Sequence, residues 1–237
     1  MNSIRRETKS ITVGSIRIGS EYPIRVQTMA NTDTNDIEAS VSQAKRCIEA
    51  GAELLRYTTQ GTKEAENLGI IHNKLQLEGY TTPLVADIHF NPHVAETAAK
   101  LVEKIRINPG NFVSSKEGEY SEKEWAEEIN KIREKLFPLL DICKQHNTCV
   151  RIGVNHGSLS KRIVSKYGNT PLGLAKSCME FIDLCEEAEF YNLILSIKAS
   201  NTRDIYTTDN GNNIQKVNEF CKCISDIKHK YHGVSIR

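Results

Sequence analysis

The chain has 237 residues, of which 39% are hydrophobic and 26% charged, as in ordinary globular proteins. Its mean hydropathy is -0.43, and no apolar run approaches the roughly 20 residues of a membrane-spanning helix, which excludes an integral membrane protein. The 31 basic and 30 acidic side chains give a formal charge of +1, which gives no reason to expect binding to nucleic acid or to an anionic membrane.

The amino-terminal residues and the cysteines bear on where the protein resides. Charges near the amino terminus are not followed by an apolar segment, so no secretory signal is predicted. Seven scattered cysteines without a CxxC pair favour reduced thiols in a cytoplasmic protein over a disulfide framework. Cys221 and Cys223 lie close together, but two thiols without two further ligands predict no metal site.

Short β-branched segments alternate with longer amphipathic stretches, which is typical of parallel α/β folds because each strand needs a crossover helix to return. Segments such as LVAD and LILSI are almost continuously apolar, as expected for strands covered on both faces. Gly14 and Ser15 join two shorter strands in a predicted hairpin that caps one end of the sheet. The six predicted strands are Ile24–Met29, Glu53–Tyr57, Pro83–Asp87, Lys104–Ile107, Cys149–Val154 and Leu193–Lys198.

Capping residues mark the predicted helix boundaries. Asn35 with Glu38 forms a capping-box pattern, and Gly51 is placed to end the helix that follows. Asn91 and Thr170 each precede a proline, which is the favoured first helical residue.

The gap between the fourth and fifth predicted strands is unusually long. Ser121 with Glu124 forms a second capping-box pattern there, and Pro138 is expected to kink or restart the helix. The Glu-rich segment 116–128 is expected to form a solvated helix face.

Polar side chains mark the carboxyl ends of the predicted strands, where parallel α/β sheets bind their ligands. Four ends carry a cation in a chain that is almost neutral overall, so the sequence predicts a phosphate or diphosphate ligand that offsets their repulsion. The alternative is that each cation pairs with a nearby carboxylate or extends to solvent. The four cations are Arg56, Arg106, Arg151 and Lys198.

Asp87 and His89 end the third predicted strand two residues apart, so their side chains point to one side if both remain extended. Such a pair can hold a substrate hydroxyl and exchange protons near neutral pH. Alternatively, the segment is a helix-entry turn in which backbone donors bind Asp87. Turns at 108–111 and 155–158 carry glycines where backbone amides could approach an anion.

Six ordered motifs carry a resemblance to a known family: VQTMANTDTND, ELLRYTTQG, PLVADIHFNP, KIRINPGN, VRIGVNHGSLSKRI and LSIKASNT. Over about residues 3–202 the chain resembles the amino-terminal barrel domain of 4-hydroxy-3-methylbut-2-enyl diphosphate synthase, the iron-sulfur enzyme of the non-mevalonate isoprenoid pathway. The long segment 112–146 is similar to the larger, three-domain variety of that family.

The resemblance implies an α/β fold, a (β/α)8 TIM-type barrel that is incomplete here, with about six βα units and an amino-terminal hairpin cap. It implies a cyclic diphosphate substrate, a flavodoxin or ferredoxin electron donor and a homodimer. In the family a separate carboxy-terminal domain holds a [4Fe-4S] cluster through three Cys and a Glu. The resemblance carries diphosphate binding over to Arg56, Arg106, Arg151 and Lys198, and substrate binding also to Asn108 and Asn201. It carries a catalytic role, in contacting the carbon skeleton or positioning water, over to Asp87, His89 and Asn155.

The chain departs from the family pattern after Thr202. We expect a barrel domain over residues 1–202 and a divergent tail over 203–237, with a helix and a possible strand at Gly233–Arg237. Neither the acidic motif nor the cluster cysteines of the family is found, so we expect diphosphate binding without turnover by this chain alone. Two alternatives remain: a transferase of the dihydropteroate synthase type, and a non-catalytic anion-binding module.

Overall fold

The computed structural model describes residues 9–88, 91–198 and 234–236. Ile11–Val13 (β1) and Ile16–Ile18 (β2) pair antiparallel around Gly14, whose φ of +54° favours glycine. The hairpin packs onto the amino ends of the main-sheet strands, which confirms the predicted cap. We call the fully apolar layer at this end the floor; its buried members are Val13, Leu54, Val85, Cys149 and Ile194.

Seven parallel strands form the main sheet within the described residues, and each pairs with the next in chain order. All six predicted strands are confirmed, although the first begins at Gln27 rather than Ile24. A seventh strand, Val234–Ile236 (β9), lies beside the sixth, where a strand was predicted within Gly233–Arg237. The first six are Gln27–Met29 (β3), Leu54–Thr59 (β4), Leu84–Ile88 (β5), Lys104–Ile107 (β6), Cys149–Asn155 (β7) and Leu193–Lys198 (β8).

Helices connect the first six strands of the main sheet, which gives residues 27–198 the βα rhythm of a TIM-type barrel. The predicted caps at Asn91 and Thr170 are confirmed, since each side chain accepts a hydrogen bond from the first turn of its helix. The described α-helices are Ile37–Glu49 (α1), Thr62–Leu77 (α2), Pro92–Ala99 (α3), Glu122–His146 (α4), Lys161–Tyr167 (α5) and Pro171–Glu187 (α6).

The predicted start of α1 was wrong by one residue. Asp36 is its N-cap, and its carboxylate accepts a hydrogen bond from the amide of Ala39 at 3.0 Å. Asn35 does not cap the helix, because its Oδ1 accepts a hydrogen bond from Nδ2 of Asn67 on α2 instead of from a helix amide. Gly51, after the helix, has a φ of +97°, which confirms the predicted glycine stop.

Pro138 lies inside α4 and does not restart it, so the restart that was one of the two expectations was wrong. Its ring removes one backbone donor from the helix. However, Leu136, Leu139 and Leu140 are fully buried around it, so packing against the core holds both halves in one helix.

Glu128 was expected on a solvated face of α4, and this was wrong. Its side chain accepts a hydrogen bond from Nε of Arg162 on α5 at 2.9 Å, and both residues are buried. Arg162 also donates to both oxygens of Glu180 on α6, and its guanidinium lies 4.1 Å from the ring centroid of Trp125. This buried cluster fastens α4, α5 and α6 together.

Candidate functional site

The strands of the main sheet present different side chains on their two faces. The outer face is apolar and packs against the helices to form the main core; it carries residues such as Tyr57, Ile105 and Ile152. Alternate residues point to the opposite face, which lines the interior of the curved sheet above the floor. We call this second surface the inner face. The strands are covered on both faces as expected, but above the floor the inner face is polar.

Asp87 links two of the predicted cations on the inner face. Its carboxylate is completely buried and forms an ion pair with Nη2 of Arg56 on the preceding strand. Nη1 of Arg106, on the following strand, lies 3.3 Å from its other oxygen. The buried Nε of Arg56 finds no hydrogen-bond acceptor among the described residues. One carboxylate therefore fixes two guanidinium groups, and Arg56 keeps a donor unsatisfied.

Arg106 reaches across β7. Its Nη2 donates to the carbonyl oxygen of Gly153 at 2.8 Å, and the side chain is 5% exposed. On β7 itself, Nη2 of Arg151 donates to Oγ of Ser196 at 2.6 Å. Sequence reasoning did not identify Gly153 or Ser196 as part of the site.

Lys198 and Asn155 pair across β7 and β8 at the carboxyl ends of these strands. Burial lowers the pKa of Lys198, and the positive charges of Arg151, Arg56 and Arg106 lower it further, while Asp87 opposes them. Those four residues are therefore close enough to act on one ammonium group. The structure brings all four predicted cations together.

The interior also contains a cation that sequence reasoning missed. Lys104 is 2% exposed, and its Nζ donates to Oε1 of Gln27 at 3.0 Å. Gln27 lies on β3, three strands away, so this bond crosses the interior of the curved sheet. The alternation of Lys104, Arg106 and Asn108 in KIRIN was the signal that could have found it, because a strand places every second residue on one face.

The cations do not all lie at the strand ends, where they were predicted. Arg56, Arg106 and Arg151 are each the third residue of their strand, and only Lys198 is at the end of one. The cations predicted at the strand ends therefore form a charged layer along the inner face of the curved sheet. Burial lowers the pKa of Arg106, with Arg56 adding to the shift and Asp87 opposing it.

Asn108 has a local role that was not expected. It is buried, its Nδ2 donates to Oγ of Ser158 at 2.9 Å, and its Oδ1 accepts from the amide of Gly110. The Gly110 amide is therefore bound within the loop rather than directed at a ligand. A Cβ on Gly110 would overlap the carbonyl group of Ser158, so only glycine lets the loops after β6 and β7 approach this closely.

Several predicted features lie outside the described residues: His89, Asn201, Cys221, Cys223 and the helix of the tail. Among the residues that the structure does describe, none form a group of three or more His, Cys, Asp or Glu side chains suited to a metal ion. Four of the described cysteines, Cys143, Cys149, Cys178 and Cys185, are fully buried, and burial raises the pKa of the first three thiols to about 12.

No helix in the described ranges has the length and apolarity needed to cross a bilayer. The fold and the inner face together define an α/β-barrel protein whose strands direct cations into the interior. The sequence matches the model of the GcpE TIM-barrel domain over residues 8–218, and the chain belongs to this family.

Curated relatives share this domain at high identity. The chain is 56% identical over 205 residues to the 4-hydroxy-3-methylbut-2-en-1-yl diphosphate synthase (flavodoxin) of Parabacteroides distasonis, which covers 85% of the chain and 34% of that relative. It is 54% identical to the protein of the same name from Bacteroides fragilis, with 85% and 33% covered. The chain thus spans about a third of the length of these relatives.

Solved structures support the fold alone. The 7,8-dihydropteroate synthase of Vibrio fischeri superposes with a TM-score of 0.54 at 15% identity, over 96% of this chain and 76% of that one. A phospho-2-dehydro-3-deoxyheptonate aldolase from Thermotoga maritima gives 0.50 at 17% identity, over 97% and 54%. These likenesses confirm a TIM-type α/β architecture and carry no statement about substrate.

Proposed function

We propose that this chain supplies the substrate-binding barrel of a reductive dehydratase that converts 2-C-methyl-D-erythritol 2,4-cyclodiphosphate to 4-hydroxy-3-methylbut-2-enyl diphosphate. The observation that carries the proposal is the charge of the inner face. On β3 to β8 it holds five cations and one carboxylate, Asp87. So many like charges facing one interior repel one another unless an anion enters, and a diphosphate supplies that anion. The cations are Arg56, Lys104, Arg106, Arg151 and Lys198.

The proposal assigns the guanidinium groups to the diphosphate oxygens, which they can bind through two parallel hydrogen bonds. Asp87 neutralises part of the charge on Arg56 and Arg106 and fixes both groups before the ligand arrives. It has no exposed surface, so we assign it to positioning rather than to proton transfer. The Nε of Arg56, which has no acceptor among the described residues, is the donor that we assign first to a ligand oxygen.

Residues at the mouth of the interior complete the proposed site. Lys198 supplies a point charge at the end of β8, and Asn155 beside it can contact the carbon skeleton or hold a water molecule. His89 and Asn201 extend this set in our proposal on the basis of the family resemblance. Asn108, directly after β6, joins the loops that follow β6 and β7.

The reduction requires electrons that the described residues have no group to carry. We propose that a [4Fe-4S] cluster and an acidic motif, both lying outside residues 9–198, complete the site. The relatives are long enough to contain such a further part, since this chain covers only 34% of the first of them. Because those relatives are named flavodoxin-dependent, we further propose a flavodoxin as electron donor, with the active form a cytoplasmic homodimer. The proposal gives the thiols of the described cysteines no role in the reaction.

Calorimetric titration of the 237-residue chain with the cyclic diphosphate tests the binding role. A variant that combines Arg56→Met with Lys198→Gln is expected to lose measurable binding, because it removes two cations from the inner face. The matched control combines Lys45→Gln with Lys74→Gln, which removes two cations on α1 and α2 that pair with Glu78 and Glu38 at the surface. Equal affinity in the wild-type chain and the first variant would contradict the proposal.

Two further measurements separate the alternatives. The family match favours the isoprenoid enzyme over a pterin-diphosphate transferase, so a pterin diphosphate is expected to bind more weakly than the cyclic diphosphate. An anaerobic assay with a chemical reductant is expected to yield no product from this chain alone. Turnover at the rate of a complete enzyme would contradict the need for an external cluster. Failure to bind either diphosphate would leave the non-catalytic module as the better interpretation.

A further inference from the structure

On the inner face of β7, a glycine lies between two larger residues and leaves a space in the surface. Arg151 and Asn155 occupy the positions on either side, and Gly153 lies between them. The space above Gly153 is filled by the side chain of Arg106, which crosses from the neighbouring strand β6. The glycine is therefore a notch in the wall of the interior, and its occupant belongs to another strand.

The geometry of this notch excludes any other residue while Arg106 stays where it is. A Cβ on Gly153 would overlap Nε of Arg106 and would lie only 3.2 Å from its Cγ and Cζ. The backbone does not require glycine, because Gly153 is not among the glycines with positive φ. The atoms that would collide belong to a long side chain rather than to the backbone, so the guanidinium would move and the strand could remain in place.

Movement of Arg106 would disturb the rest of the cation layer. The same guanidinium donates to the Gly153 carbonyl oxygen at 2.8 Å and approaches Asp87 at 3.3 Å. Asp87 in turn holds Arg56. A side chain at position 153 would therefore separate Arg106 from Asp87, and Asp87 would no longer hold both guanidinium groups in position.

We infer that Gly153 is a positioning residue of the proposed diphosphate site: it lets Arg106 lie across β7 and thereby sets where Arg106 and Arg56 meet the ligand. This inference rests on the proposed function for its ligand. It places a specificity determinant at a residue that carries no functional group of its own.

A double-mutant cycle tests the inference through cyclic diphosphate affinity. Gly153→Ala is expected to weaken binding about tenfold or more, because a charge-assisted contact is misplaced. In an Arg106→Ala background the same change is expected to alter affinity less than about twofold, since the group that it displaces is gone. Ile152→Val, on the outer face of the same strand, is the control and should leave affinity unchanged. Additive losses in the cycle would overturn the inference.

A second measurement does not depend on the ligand. In the wild-type chain Arg106 is a buried residue, so its Nε–H group should give an NMR signal that exchanges more slowly with solvent than those of exposed arginines. Gly153→Ala should shift this signal or abolish its protection while the backbone amides of β7 stay protected. An unchanged Arg106 signal overturns the positioning role. Failure of the wild-type chain to bind the diphosphate would instead overturn the proposed function, and the NMR signal would still decide the role of Gly153.

Discussion

In our proposal Asp87 organises the site without reacting in it. Its buried carboxylate is the only acidic group on the inner positions of β3 to β8, and it lies between two guanidinium groups. Removing one member of a buried ion pair leaves the partner's charge uncompensated, which is more damaging than losing a surface pair. The sequence predicted that Asp87 lies near the cations, and the structure places it beside Arg56 and Arg106. The sequence could not show that both oxygens are engaged, because that depends on how the neighbouring strands register.

Asp87→Asn is expected to lower the free energy of unfolding by about 3–5 kcal/mol, since it leaves two buried cations facing a neutral amide. The cyclic diphosphate should then raise the stability of the variant less than that of the wild-type chain, because Asp87 no longer holds Arg56 and Arg106 in place to bind it. Urea unfolding with and without ligand measures both effects. Glu53→Gln, which breaks the partly exposed Arg25 pair below the site, is the control. Equal ligand stabilisation in Asp87→Asn and wild type would contradict the prediction.

Lys198 predicts a pH dependence of binding. Burial and three arginines lower the pKa of Lys198. In alkaline buffer below the pKa of an ordinary lysine, the ammonium group of Lys198 has therefore lost its proton in part of the ligand-free protein. A bound anion favours the charged form, so binding should take up a proton there. Between the folded and the unfolded pKa of Lys198, the unfolded chain binds more protons than the folded chain. The contribution of Lys198 to the free energy of unfolding therefore rises with pH across this range, and it is least favourable below the folded pKa.

Titrations in two alkaline buffers of different ionisation enthalpy measure this proton uptake. The cyclic diphosphate suits the experiment because its ionised oxygens do not titrate in alkaline solution. Lys198→Gln should abolish the uptake and weaken binding, whereas Lys45→Gln at the surface should change neither. Undiminished proton uptake in Lys198→Gln would assign it to another group.

At the scale of elements, local sequence signals predicted strands and helix starts reliably where the backbone and its neighbouring side chains determine the structure. All six strands were predicted, and so were the caps at Asn91, Ser121 and Thr170. The failures lay where tertiary packing decides. Glu128 has the sequence context of a solvated residue, and only the approach of α5 and α6 buries it against Arg162. No local pattern reports that approach.

Arg162→Met is expected to cost about 3–5 kcal/mol of stability, because it leaves the buried carboxylates of Glu128 and Glu180 without their shared cation. Arg133→Met is the matched control. It breaks a more exposed pair with Glu187 and should cost less than about 1 kcal/mol.

Replacing Glu128 and Glu180 by Gln in the Arg162→Met background should recover part of the loss, since neutral amides are easier to bury. Chemical unfolding of the four chains compares these costs. Similar losses in Arg162→Met and Arg133→Met would show that the buried cluster adds little.

At the scale of the whole molecule, the composition concealed the main electrostatic feature. A formal charge of +1 for the chain is compatible with an interior that holds five cations, because the acidic residues lie elsewhere. Sequence order could suggest that the cations converge, through the rule that parallel strands share one end. The bond from Lys104 to Gln27 could not be predicted, because it forms only when the sheet curls enough to bring β3 and β6 within reach.

The interior is thus layered, with the apolar floor beneath the charged layer, and the two should be separable by mutation. Val13→Ala removes buried apolar atoms from the floor and is expected to cost about 2 kcal/mol of stability. Cyclic diphosphate affinity should change less than about twofold, because the charged groups remain in place. Thr12→Ala, exposed on the same hairpin, should change neither quantity. If Val13→Ala weakened binding in proportion to its loss of stability, the floor would be part of the binding site rather than a support beneath it.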